Sequence, residues 1–320
     1  MASPSDSPFC PTSSRVSLNS HLYNNGKVPD NLRHLMLDIS RAAKYIQFAI
    51  RTTEAGLAGT KNQFGEDQVK LDVLSDEIIR QQLCESRLVA CFSSEELEDV
   101  VELDSEAPYT VVYDPLDGSS LVDANFAIGS IFGIFPGNGI IGRKPRELVA
   151  AFYVLYGPRT LLIYTTGNGV HEFILNEVGE FILLRENLGV ADTAKTFSPG
   201  NTGAVTDTPA YRNMLNVWLD EKLKLRYSGA MVADIHHVLS KGQGIFTNVG
   251  GAKYPEGKLR LVFECGPFSY LMEQAGGASS NGKSDILDLM IRDTDQRTPI
   301  IIGSKNEVER VCATLSEKNR

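Results

Sequence analysis

The apolar positions Leu32, Met36, Ile39, Ala43, Ile46 and Ile50 advance by four and three residues in turn. That spacing lays one apolar stripe along a helix of about 20 residues, ending before Gly56 and Gly59. A second helix is predicted from about Asp72 to Glu85. Asp72, Asp76 and Glu77 stand in its first turn, where carboxylates suit the positive end of the helix dipole. The period then changes. The runs 110–113, 127–135, 149–156, 160–164, 171–175 and 181–184 have strand character, and turn clusters such as Gly157-Pro158-Arg159 and Gly167-Asn168-Gly169 separate them. They predict a mostly antiparallel sheet flanked by the two helices.

Near residue 190 the style changes again. A loop around Ser198-Pro199-Gly200-Asn201 precedes a helical stretch at 209–220. Strands are then expected near 245–248, 259–264 and 299–302, and helices near 231–240, 267–275 and 305–315, an α/β layered pattern. The predicted organisation is a disordered tail over 1–27, an N-terminal α+β domain over 28–192 and a smaller C-terminal α/β domain over 193–320. The tail is rich in Ser, Pro and Asn and has no apolar segment of the secretory kind. The cytoplasm is the expected compartment, with a plastid or another organelle the alternative.

Composition narrows the function. With 320 residues, 42% of them hydrophobic, the chain can bury a substantial core. Its longest apolar stretch, Phe126 to Phe135, is about half of what a membrane-spanning helix needs. A net charge of -9, with no Lys/Arg run of five or more, argues against nucleic acid as a partner. The five cysteines are odd in number and widely spaced, which suits reduced thiols and argues against a zinc site.

Two glycine-rich stretches imitate nucleotide-binding loops. Gly137 to Gly142 fits G-x-G-x-x-G, but Pro145 follows it and no helix opens at the third glycine. About 20 residues on, where an acidic ribose ligand belongs, the chain reads Gly157-Pro158-Arg159. A hairpin loop is expected instead. Gly277 to Ser284 matches G-x-x-x-x-G-K-[ST] by letter. A P-loop leaves a strand and opens a helix, whereas Phe268 to Ala275 has helical spacing and Gly276-Gly277 reads as its C-terminal cap. Asp114 to Gly118 carries acids at positions 1 and 4, which is not the calcium-loop spacing.

What remains is a dispersed set of carboxylates, each at the edge of an apolar element: Asp67 and Asp72, Glu95 and Glu96, Asp114 and Asp117, and Glu264. Singly, such acids are solvated or paired with a base. Jointly, converging ionised carboxylates call for cations, and hard oxygen donors select magnesium or manganese. In Asp114-Pro115-Leu116-Asp117 the proline stiffens the strand exit, both carboxylates can face one ion cluster, and the Leu116 carbonyl can join them. Gly118, Ser119 and Ser120 then offer consecutive backbone N–H groups to phosphate oxygens.

Seven segments carry a family resemblance: "FGEDQVKLDVLSDE" (64–77), "SSEELED" (93–99), "DPLDGSSLVDANFAIGSIFGIF" (114–135), "YGPRT" (156–160), "GAMVADIHHVL" (229–239), "KLRLVFE" (258–264) and "AGGASSNGKSDILD" (275–288). From about residue 30 onward the chain resembles the fructose-1,6-bisphosphatase fold family. The resemblance implies a layered α-β-α-β-α sandwich and a phosphoric monoester hydrolase that uses metal-assisted, in-line water attack. It implies that Glu95, Asp114, Asp117, Glu264 and the Leu116 carbonyl bind two or three Mg²⁺ or Mn²⁺ ions, with Asp67 bordering a third ion. Asp72 and Glu96 match the pair that activates the attacking water, and Gly118, Ser119 and Ser120 the positions that hold the 1-phosphate. Asn201, Arg226, Tyr227, Met231, Lys258 and Arg260 match positions lining the sugar and its distal phosphate, Arg226 reaching in from a neighbouring subunit. A homodimer or homotetramer follows from the same resemblance.

Two departures pull away from fructose bisphosphatases, while "GIFTN" (244–248) and "YGPRT" (156–160) resemble the sedoheptulose-1,7-bisphosphatase branch of that family. Thr247-Asn248 stands after Gly244-Ile245-Phe246 where fructose bisphosphatases have Tyr-Pro, and "NLRHLMLD" (31–38) replaces the AMP-binding run Gly-Glu-Leu-Thr. They imply cleavage of sedoheptulose 1,7-bisphosphate to sedoheptulose 7-phosphate and phosphate, in the Calvin cycle or pentose phosphate metabolism. Fructose 1,6-bisphosphate, or both sugars, is the alternative substrate. A P-loop NTPase and a non-catalytic sugar-phosphate sensor are the remote ones. The loop at 52–62 lacks the cysteine pair of the light-regulated plastid members, so no such redox switch is expected.

Overall fold

Two leucines four residues apart open the fold. In the computed structural model, which describes residues 16–24, 28–53, 57–61 and 67–316, Leu18 and Leu22 are buried on the short helix α1 (Leu18–Asn24). This part of the expected disordered tail is therefore ordered; its Ser and Asn content hid an apolar pair with helical spacing. His21 of the same helix bonds the Tyr164 hydroxyl at 2.5 Å and Glu186 at 2.9 Å. Helix α2 (Asp30–Thr52) carries the predicted stripe, with Leu32, Met36, Ile39, Ala43 and Ile46 all buried. An antiparallel pair, β1 (Leu57–Lys61) and β2 (Asp67–Val69), leads into α3 (Lys70–Ser86). Among the described residues no helix is long and apolar enough to cross a membrane.

Eight strands follow: β3 (Val89–Ser94), β4 (Val101–Glu102), β5 (Tyr109–Asp117), β6 (Ile128–Pro136), β7 (Ala150–Tyr156), β8 (Thr160–Thr165), β9 (His171–Leu175) and β10 (Phe181–Arg185). They form one sheet in the order β10-β9-β8-β7-β6-β5-β3-β4, antiparallel except where β3 meets β5. The strands read as almost unbroken apolar runs because both faces are buried. Phe132, Phe152, Val154 and Tyr164 face the α1–α3 side. Ile131, Tyr153, Leu155 and Ile163 alternate with them and face the interior of the molecule.

The second half builds a smaller mixed sheet from β11 (Thr196–Pro199), β12 (Lys224–Leu225), β13 (Ile245–Asn248), β14 (Ala278–Ser280) and β15 (Ile300–Gly303), ordered β12-β11-β13-β15-β14. Its helices are α4 (Ala204–Asp207), α5 (Pro209–Asp220), α6 (Met231–Lys241), α7 (Gly266–Gln274) and α8 (Lys305–Ser316). Residues of α6 and α7 fill the space between the sheets together with Phe246, Ile300 and Ile302. On the outer side Phe197, Ile245 and Ile301 meet Trp218 of α5 and Val311 of α8. Helix, sheet, helix, sheet and helix make the five layers.

One expected strand is absent. Residues 259–264 form a short, mostly apolar run of the kind a buried strand has, but Leu261–Cys265 form a π-helical turn with every side chain buried, and only Arg260 makes an isolated bridge, to Arg297. Burial on all sides removes the advantage of a flat alternating surface, and the turn runs directly into α7, where Pro267 suits the first turn. The stretch with P-loop spelling runs from helix α7 through Gly276, at φ 83°, into strand β14, the reverse of a P-loop.

Phe132 is fully buried and stacks on Phe152 at a centroid distance of 4.8 Å. Phe132→Ala should lower the free energy of unfolding by about 3–5 kcal/mol, read by urea denaturation.

Candidate active site

The parallel pairing of β3 with β5 stops where β3 ends, beside Tyr113, while β5 runs on to Asp117. Ser94 lies opposite Tyr113, and the Glu95 N–H donates to the Tyr113 carbonyl at 3.1 Å. Glu95 and Glu96 therefore emerge beside Asp114. The segment Asp114-Pro115-Leu116-Asp117 is a bulged strand end: Asp114 pairs with Ile131 and Asp117 with Gly129, so β5 carries one more residue than β6. Two local bonds hold the bulge. The Leu116 N–H donates to Asp114 Oδ1 at 2.8 Å, and the Ser130 hydroxyl donates to the Pro115 carbonyl at 2.7 Å. Gly118, at φ 83°, then turns the chain into a 3₁₀ turn over Ser119–Leu121.

The opposite wall comes from the second half. The π-helical turn delivers Glu264, whose Oε2 accepts the Arg260 N–H at 2.7 Å, while the Arg260 guanidinium pairs with Glu95. At the start of α6 the Val232 N–H donates to Asp117 Oδ2 at 2.6 Å. One oxygen each of Asp114, Asp117 and Glu264 fall within 4.8 Å of one another.

These groups line a cavity of about 300 Å³. Of the residues singled out in the sequence, Asp72, Glu95, Glu96, Asp114, Leu116, Asp117, Gly118, Ser119 and Ser120 line it from the first half. Tyr227, Met231, Lys258, Arg260 and Glu264 line it from the second. Asn201 and Arg226 do not. The Asn201 amide donates to the Val249 carbonyl at 2.8 Å while neighbouring Gly200 takes a place in the wall, and Arg226 is exposed, its guanidinium on the Leu225 carbonyl at 2.7 Å. Asp67 lies on β2, and its side chain is outside the described residues. Sequence reading missed Gly229, Asp234, Asn248 and Arg297, which also line the cavity. Asp234 stands three residues after Met231 and hence on the same helical face, a spacing that by itself assigns it no role.

Seven carboxylates share this wall with three basic side chains, Lys258, Arg260 and Arg297. Burial, then the charges of Glu95, Asp117 and Glu264, pushes Asp114 well above the usual carboxylate range. Burial likewise raises Glu264, with repulsion from Glu95 and Asp117 adding to it. Asp117 is pushed up to about 7, chiefly by burial, although the Val232 N–H favours its ionised form. An all-oxygen donor set, crowded and short of positive charge, fits a hard divalent cation.

The comparisons agree with this chemistry. Sequence models of the fructose-1-6-bisphosphatase N-terminal and C-terminal domains match residues 12–186 and 190–316. A class 1 fructose-1,6-bisphosphatase of Geobacter metallireducens is 44% identical over 308 residues, covering 95% of this chain and 97% of that one. A chloroplastic sedoheptulose-1,7-bisphosphatase of Triticum aestivum is 39% identical over 297 residues, covering 91% of this chain and 75% of its own. The crystal structure of Leishmania major fructose-1,6-bisphosphatase in holo form matches with a TM-score of 0.88 at 31% identity, over 95% of this chain and 99% of that one.

Fold and site thus define a sugar bisphosphatase, a phosphoric monoester hydrolase. The chain belongs to the fructose-1,6-bisphosphatase family. The expected preference for the seven-carbon sugar is not supported at this level, because the relatives at 44% and 45% identity are fructose bisphosphatases.

The raised carboxylates fix the sign of a stability effect. In protein stripped of divalent cations, the fold holds the Asp117 proton up to about pH 7, whereas the unfolded chain releases it near the ordinary value of 3.8. The folded state binds more protons in that window, so stability should fall as pH rises through it. Thermal melts should show this fall, its flattening in Asp117→Asn, and a larger rise in Tm on adding Mn²⁺ near pH 8 than near pH 5.

Proposed function

We propose that this protein removes the 1-phosphate of fructose 1,6-bisphosphate with the help of magnesium. The observation that carries the reading is the convergence of Glu95, Asp114, Asp117 and Glu264 beside the Gly118-Ser119-Ser120 turn, in one cavity. Those four carboxylates and the Leu116 carbonyl would hold the cations, with Asp67 bordering a third. When bound there, divalent ions supply charge neutralisation for the transferring phosphoryl group and acidify water. The backbone N–H groups of Gly118, Ser119 and Ser120 bind the phosphate oxygens. Asp72 and Glu96 form the pair that takes a proton from the attacking water, whose oxygen bonds to phosphorus as the in-line P–O bond to the sugar breaks and the released sugar oxygen takes up a proton from solvent. Lys258, with Arg260 and Arg297, attracts an anionic substrate into an otherwise acidic protein. Tyr227 and Met231 bound the sugar, and in a homo-oligomer an exposed Arg226 serves the neighbouring subunit's cavity.

Sedoheptulose 1,7-bisphosphate is the second reading. It is favoured by the Thr247-Asn248 departure, since Asn248 lines the cavity where a longer sugar needs room and polar contacts.

Phosphate release from both sugars, with and without Mg²⁺, tests these readings. Turnover should require the cation, and the ratio of specific activities assigns the sugar. Glu96→Gln should lower kcat about 10²–10⁴-fold, and Asp117→Ala should lower it at least as far. Full activity after EDTA treatment and dialysis would refute the metal requirement.

A further inference from the structure

We propose that Asp234 is a positioning residue, one that pins the 228–230 turn against the Asp117–Ser120 segment and thereby sets the geometry of the phosphate cradle. The inference rests on the reading of that segment as the cradle. It starts from a contact between two turns. A Cβ added at Gly118 would lie 2.5 Å from the Ala230 Cβ, so Ala230 already sits against the cradle's backbone. One added at Gly229, which has φ 104°, would meet Leu121 at 3.3 Å. Two residues further on, the Val232 N–H holds Asp117 Oδ2 at 2.6 Å. Ala230 and Val232 therefore touch the cradle directly, and Gly229 lies beside Leu121, the residue that follows it.

Something must hold that lead in place, since Gly229 gives it freedom. Asp234 is 3% exposed and lines the cavity, and its Oδ1 accepts the Ser228 N–H at 2.8 Å. Its own N–H donates back to the Ala230 carbonyl at 3.2 Å, so the side chain and backbone of one residue close the loop over 228–230. Oδ2 is buried without a hydrogen-bond partner. Asp234 thus reaches the turn through Oδ1, an acceptor that asparagine reproduces and alanine removes, while the Ser228 hydroxyl closes the same turn on the Ala230 N–H and carbonyl, both at 3.2 Å.

The experiment compares wild type, Asp234→Ala and Asp234→Asn by steady-state kinetics on fructose 1,6-bisphosphate with Mg²⁺, and by calorimetric titration with Mn²⁺. Asp234→Ala should lower kcat/KM and weaken Mn²⁺ affinity by about 10–100-fold each, the range typical of residues that orient a ligating group. Asp234→Asn should stay within about threefold of wild type in both, a difference too small to reflect a lost contact. Asp234→Ser, too short to reach Ser228, replaces the alanine variant if that one does not fold. An alanine or serine variant with wild-type Mn²⁺ affinity and kcat/KM overturns the assignment, even if its Tm is lower. So does an asparagine variant as impaired as alanine. Should the wild type hydrolyse no sugar bisphosphate, the functional reading fails alone, and the Mn²⁺ titrations still decide the role of Asp234.

Discussion

Repulsion between buried carboxylates is the constraint around which this molecule is arranged. Beyond burial itself, the charges of Glu95, Asp117 and Glu264 oppose ionisation of Asp114, and those of Glu95 and Asp117 oppose ionisation of Glu264, so the group must be held against a force that would separate it. The holding is done mainly by backbone. Leu116 donates to Asp114, Val232 to Asp117 and Arg260 to Glu264, three N–H groups from three elements. Such charge-assisted bonds are stronger than neutral ones and orient an acid without neutralising it. The acids are thereby kept close while their charge stays available to a cation.

This arrangement divides the site between the two halves of the chain. Glu95, Asp114 and Asp117 belong to the eight-stranded sheet, whereas Glu264, Lys258 and Arg260 come from the π-helical turn and the segment before it. The mixed sheet stands behind them through Phe246 and Asn248. The shared interior packed by α6 and α7 is therefore what aligns the reacting groups, and neither half contains the site alone.

Much of this was legible in the chain. Helical spacing gave α2 and α3 to within a few residues, and the apolar runs gave β5 to β10, because in these elements local period and burial agree. Legibility failed where they part. Val89–Ser94 ends in serines and was not read as β3, although its parallel pairing is what brings Glu95 to Asp114. Leu259 to Glu264 has the short apolar run of a buried strand, yet Leu261–Cys265 adopt a π-helical turn, a backbone form that recurs at functional sites and has no periodic signature. The carboxylates of the cavity could be singled out from their positions at strand edges and from motif spelling. Asp234 could not, since an acid in the first turn of a helix is an ordinary sight, and its meaning depends on Ser228 and Ala230 folding back onto Gly118.

The short segment ahead of α1 has a consequence for life at high concentration. β10 forms one margin of the eight-stranded sheet, and there the Leu183 N–H donates to the Val16 carbonyl at 2.8 Å while Ser17 bridges Ile182. A bare strand margin is a template on which a foreign chain can add and from which aggregates grow. Val16 and Ser17 occupy part of that template with the protein's own backbone, and the opposite margin, β4, is only two residues long. A few residues ahead of the first helix thus act as insulation, sparing a broad sheet from sticking to its neighbours.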